Sequence, residues 1–121
     1  MRETGTYAIA CTSFPGKRRG LDDNPRVLVL RFDDVLDPRN EHAFTPELAA
    51  RIHRFVDAAM AAEVPARRII CACDGGVSRS VAVAAALMGY FGMDGASAWA
   101  VRSGRPNGLV HRLLMEEFGL D

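Results

Sequence analysis

The sequence predicts an α/β fold: a small, mostly parallel sheet with helices on both faces, in a single domain spanning residues 1–121. Three observations predict it. Short apolar runs at Tyr7–Cys11, Val27–Phe32 and Ile69–Ala72 do not alternate with polar residues, the pattern of strands in a parallel sheet covered on both sides. Stretches with apolar residues at helical spacing lie between and after those runs. No repeat, low-complexity run or linker-like stretch divides the 121 residues, a length that suits one domain.

The elements follow in order. After the first strand, Thr12 to Asn24 has no strong periodicity and reads as a loop with room for one short edge strand. It carries Lys17, Arg18 and Arg19, then a polar turn of Asp22, Asp23, Asn24 and Pro25. Beyond the second strand, Thr45 is placed as an N-cap with Pro46 at the first helical position. Leu48, Ile52, Phe55, Val56, Ala59 and Met60 then line one helix face, which stops before Pro65. The third strand leads through a glycine-containing turn into a small-residue helix from about Arg79 to Tyr90, able to pack closely. Asp94 can cap a short helix carrying Trp99. Asn107 can cap a last helix whose Leu109, Val110, Leu113, Leu114 and Phe118 face the core, with Gly119 ending it.

Composition excludes several classes of function. Fifteen basic residues balance fifteen acidic ones, so the chain is not a nucleic-acid, heparin or membrane-surface binder that acts by overall charge. Fourteen of the basic residues are Arg, the side chain that grips an oxyanion with a planar fork; Lys17 is the lone lysine. Cys11, Cys71 and Cys73 are too few and of the wrong parity for a disulfide scaffold, which favours a reducing compartment. The N-terminal MRETGTYAIA lacks the apolar core and small-residue cleavage site expected of a signal peptide, and the longest apolar stretch, Val81 to Met88, is far short of the ~20 residues a bilayer needs. The expectation is a soluble, cytosolic protein.

Chemistry concentrates in CACDGGVSRS, residues 71 to 80, at the strand-to-helix turn. Five residues separate Cys73 from Arg79, and two of them are glycine. Gly75 and Gly76 allow consecutive N–H groups to turn inward as an anion nest, and the helix end adds its dipole and free donors. Arg79, in the first turn, can close the ring with two parallel charge-assisted hydrogen bonds to a phosphate. Cys73 sits at the floor of the ring, where the field that binds an anion also favours a thiolate.

With these residues the sequence resembles the cysteine-dependent protein tyrosine phosphatases, in their small dual-specificity-like branch. The resemblance rests on Cys73-Asp74-Gly75-Gly76-Val77-Ser78-Arg79-Ser80 against that family's Cys-x5-Arg-Ser/Thr phosphate-binding loop. Arg105-Pro106-Asn107 looks like the segment before its last helix. About half the chain is covered, from Ile69 onward; the first half agrees only in the order of its elements. The fold implied is phosphatase-like.

The resemblance also implies roles. Cys73 would attack phosphorus in line and form a thiophosphate intermediate. Arg79 and the N–H groups of Asp74, Gly75, Gly76, Val77 and Ser78 would hold the equatorial oxygens, and Ser80 would hydrogen-bond the thiolate. An aspartic acid on a separate loop would protonate the leaving oxygen and then activate water. RFDDVLDP offers Asp33, Asp34 and Asp37; a position just past the strand end favours Asp34, with the other two as alternatives. The substrate implied is a phosphorylated protein or a small phosphomonoester, with no cofactor, metal, nucleic acid or membrane required. Two departures stand out. Ala72 occupies the place where the family usually has His, and Asp74 adds negative charge beside the anion site. A loop without lysine argues against highly charged inositol phospholipids.

Other readings weigh against these. Cys71 and Cys11 read first as core residues, with Cys71 as a redox partner of Cys73 in second place. His42, His53 and His111 have no metal-ligand spacing. A Cys–His hydrolase would leave Arg79 without a task. Lys17, Arg18 and Arg19 read as exposed loop, with a place on the pocket rim as the alternative. Two other functions remain open: a catalytically inactive module that binds phosphate or phosphoprotein, and a thiol-dependent arsenate reductase or sulfurtransferase.

Overall fold

In the computed structural model, residues 5–13, 24–74, 78–92 and 105–120 are described. Three strands form, β1 (Thr6–Thr12), β2 (Val27–Arg31) and β3 (Arg68–Cys73), with three helices, α1 (Pro46–Ala61), α2 (Arg79–Tyr90) and α3 (Gly108–Phe118). The expected parallel sheet is present, in the order β2-β1-β3. Among the described strands β1 takes a parallel partner on each side, so β3, which leads into the Cys73 motif, lies on an edge. Asp94, Trp99, Lys17, Arg18, Arg19, Asp22 and Asp23 lie outside the described residues.

Register decides which side chains meet. Cys11 is paired with Leu30 on one side and Cys73 on the other; Ile9 is paired with Leu28 and Cys71. Successive residues of a strand point to opposite faces, so these residues share one face. That face meets Ala49, Ile52 and Val56 of α1, Ala82, Val83, Ala86 and Leu87 of α2, and Leu109, Val110 and Leu114 of α3 in a single apolar cluster. Ile9, Leu30, Ile52 and Leu114 are fully buried, each stabilising the fold by about 1.5–3 kcal/mol relative to exposure. Phe32 and Phe44 close the cluster with their rings edge to face, centroids 4.8 Å apart.

Local signals set the helix ends. Thr45 accepts the Leu48 N–H at 3.2 Å, and Pro46 starts α1 as the capping pattern predicts. The Asn107 side chain accepts the Val110 N–H at 3.0 Å to start α3. Gly119 ends it at φ 71°, a left-handed conformation that glycine adopts without a Cβ penalty.

α3 packs against both other helices. At their far junction His53 Nδ1 lies 2.8 Å from Glu117, its Nε2 lies 3.2 Å from the Tyr90 hydroxyl, and Tyr90 donates to Asp57 at 2.6 Å. Phe118 stacks on the Tyr90 ring at 4.3 Å. Tyr90 ends α2 whereas Arg79 begins it, and both His53 ring nitrogens are engaged at the Tyr90 end, by Glu117, Tyr90 and Asp57, rather than at Cys73.

Candidate active site

β3 ends at Cys73 and α2 begins at Arg79; Gly75, Gly76 and Val77, which join them, lie outside the described residues. What the flanks do is clear. Cys73 is 7% exposed, its Sγ 3.2 Å from the Ser80 Oγ, and the Ser80 backbone N–H donates to that sulfur at 3.3 Å. A free N–H at the start of a helix normally goes to a capping side chain or water. Here Ser78, the N-cap of α2, makes no side-chain cap, and the Ser80 donor is aimed at the cysteine. The helix end therefore stabilises negative charge on sulfur.

Arg79 is 4% exposed, and its partners are uncharged. Nη1 donates to the Ser13 hydroxyl and to the Phe32 carbonyl, both at 2.8 Å, and Nη2 donates to the Asp74 carbonyl at 3.3 Å. Nε is sealed from solvent with no hydrogen-bond partner. A guanidinium has five N–H groups, and among the described residues three are used. The Nε–H and one Nη2–H, on adjacent nitrogens, are left unspent there. A buried cation held only by neutral oxygens is stabilised by an arriving anion.

Asp34, just past the end of β2, comes to this turn from the other side. Its Oδ1 accepts the Ser78 hydroxyl at 2.9 Å and the Asn107 amide at 2.6 Å. Asp37 stays away: its carboxylate holds the Arg39 guanidinium through bonds of 3.1 and 3.0 Å and takes the Arg39 N–H at 2.9 Å. Those hydrogen bonds hold the Asp37 carboxyl below the usual carboxylate range. Asp33 gives its N–H to the His42 carbonyl at 2.7 Å, bracing the loop. The Asp74 carboxylate is exposed and accepts the Ser13 N–H at 3.4 Å. The geometry thus brings together Cys73, Ser78, Arg79, Ser80 and Asp34 and leaves Asp37 out.

The other thiols are different. Cys71 is half-buried in an apolar groove of about 410 Å³ with Met60, Leu87 and Met88; burial, then the neighbouring Cys73, pushes its pKa up to about 12. Burial likewise pushes the Cys11 thiol up. Both are neutral at physiological pH. Among the described residues no group of three or more His, Cys, Asp or Glu is placed to hold a metal ion, and no helix is long and apolar enough to cross a membrane.

No family model and no curated protein matches the sequence. Solved structures do. The human tyrosine phosphatase-like serine/threonine/tyrosine-interacting protein matches with a TM-score of 0.54 at 23% identity, covering 96% of this chain and 78% of that one. This chain has the phosphatase-like fold. PTPMT1, solved in complex with PI(5)P, matches at a TM-score of 0.52 and 16% identity, over 94% of this chain and 77% of that one. The small parallel sheet with its helices is the architecture shared with both.

Three site partners were not foreseen from the sequence. Ser13 and the Phe32 carbonyl fix Arg79, and Asn107 reaches Asp34. A backbone carbonyl has no residue signature, and the capping pattern at Asn107 accounted for only half of its side chain.

Proposed function

We propose that the chain, as one domain, is a metal-independent phosphomonoester hydrolase working through a cysteinyl-phosphate intermediate. The observation that carries this reading is Arg79: a buried guanidinium bonded to the carbonyl of Asp74, the residue after Cys73, with two N–H groups unspent among the described residues. In the first step the Cys73 thiolate forms an S–P bond as the P–O bond to the leaving group breaks. Arg79 and the backbone of residues 74–78 hold the equatorial oxygens. Asp34 gives its proton to the departing oxygen. In the second step Asp34 takes a proton from water as water attacks phosphorus, the S–P bond breaks, and Ser80 stabilises the returning thiolate at 3.2 Å. Phosphotyrosine or mixed phosphoprotein substrates fit the dual-specificity-like motif, and a cytoplasmic location fits three thiols without a disulfide.

The test is hydrolysis of an aryl phosphate by wild type, Cys73→Ser and Asp34→Ala. Activity that survives Cys73→Ser ends this mechanism. PTPMT1 was solved in complex with PI(5)P, so a phosphoinositide belongs in the substrate panel beside phosphopeptides.

A second reading, a phosphate- or phosphoprotein-binding module without turnover, draws on Ala72 before Cys73 and on the other neighbour, named phosphatase-like and interacting. Phosphopeptide binding through Arg79 by a protein with no turnover decides for it. Activity confined to arsenate or a sulfane-sulfur donor decides for the thiol-transfer alternative.

A further inference from the structure

We infer that Asn107 is a positioning residue that fixes which oxygen of Asp34 carries the proton; this rests on the phosphatase reading and deepens it. The Asn107 side chain is 3% exposed and its orientation is determined by its partners. Its oxygen accepts the Val110 N–H at 3.0 Å, so its nitrogen is the end that faces Asp34 at 2.6 Å and the Val35 carbonyl at 3.2 Å. Its backbone N–H donates to the Ser78 carbonyl at 3.1 Å. Ser78 in turn donates its hydroxyl to the same Asp34 Oδ1 at 2.9 Å.

Two donors occupy one carboxylate oxygen. An oxygen of this kind offers two lone-pair sites, and here both are filled. The proton of the neutral acid must therefore reside on Oδ2. That is the oxygen which protonates the leaving group in the first step and takes a proton from water in the second. Asp34 is otherwise an exposed side chain beyond the end of a strand, free to rotate. Asn107, anchored by the cap of α3, and Ser78, at the head of α2, remove that freedom and register the acid against the turn that holds the phosphate.

Asn107→Ser tests this, because serine is an equally good N-cap but too short to reach Asp34. Ser78→Ala removes the second donor without touching α3. Both are assayed with p-nitrophenyl phosphate, whose leaving group needs little protonation, and with phenyl phosphate, whose leaving group needs it. Asn107→Ser is expected to lose about tenfold in kcat on phenyl phosphate and less than about threefold on p-nitrophenyl phosphate, with KM little changed. Combined with Asp34→Ala it should cost nothing further, and Ser78→Ala should show the same leaving-group bias. Equal losses on both substrates, or losses that add to those of Asp34→Ala, overturn the inference while leaving the phosphatase reading intact. A wild type without turnover overturns both.

Discussion

Arg79→Lys keeps the charge and removes the fork. In the wild type three guanidinium N–H groups are spent on Ser13, Phe32 and Asp74, and two are unspent among the described residues, which the proposed function gives to the phosphoryl group. An ammonium has three donors on one nitrogen and cannot supply both sets. The loss is two charge-assisted hydrogen bonds to the transferring phosphoryl group, at about 1.5–3 kcal/mol each, or about 3–6 kcal/mol together. At roughly 1.4 kcal/mol per decade, kcat/KM for an aryl phosphate should fall about 10²–10⁴-fold. Inorganic phosphate should weaken as a competitive inhibitor in the same variant. A variant within threefold of wild type in kcat/KM would refute the assignment of Arg79 as the phosphate fork.

Asp34→Ala should lower kcat on phenyl phosphate about 10²–10⁴-fold, whereas Asp37→Ala should leave it within twofold, since Asp37 is paired with Arg39 and held ionised. A loss at Asp37 instead would move the acid. Ser80→Ala should slow the second step about tenfold or more and make a phosphoenzyme burst visible in rapid-quench traces, because the bond to Sγ assists departure of the thiolate. Cys71 is raised in the fold from 9.0 to about 12, so its contribution to stability is full below about pH 9 and is lost as pH rises toward 12. Cys71→Ala should flatten that alkaline loss in thermal melts, and a slope identical to wild type would contradict it. Leu114→Ala, fully buried on α3 among core residues of the other helices, should cost about 2–5 kcal/mol in urea unfolding.

The elements were legible where chemistry is local. Apolar runs marked β1, β2 and β3, and Thr45, Pro46, Asn107 and Gly119 marked helix ends, because caps and left-handed turns depend on side chains at fixed offsets. The pairing order was not legible. Nothing in Ile69–Ala72 says that β1 would take both partners and leave β3 on an edge of the described strands, since buried parallel strands carry interchangeable apolar faces. At the candidate site the motif placed Cys73, Arg79 and Ser80 in one turn, and the end of the second strand pointed to Asp34 rather than Asp37. Ser13 and the Phe32 carbonyl could not be found this way: they act at strand ends 66 and 47 residues from Arg79, through a hydroxyl and a backbone oxygen that any sequence supplies in number.

Those unforeseen partners explain how so small a domain can hold a precise site. Arg79 is fixed by the ends of β1 and β2, through Ser13 and Phe32, and Cys73 ends β3. All three parallel strands therefore deliver to one edge of the sheet, the carboxyl end, where open α/β sheets bind ligands. Asp34 extends β2 into the same region and is held by the N-caps of α2 and α3. Each of these candidate groups thus takes its position from a strand end or a helix start, the points where backbone donors and acceptors are left over by regular structure. Because α3 also packs against both α1 and α2, a core change such as Leu114→Ala that loosens α3 should move Asn107, and activity on poor leaving groups should fall before the fold melts. Activity on phenyl and p-nitrophenyl phosphate that declines in parallel with unfolding would show that the cap of α3 and the acid are not coupled.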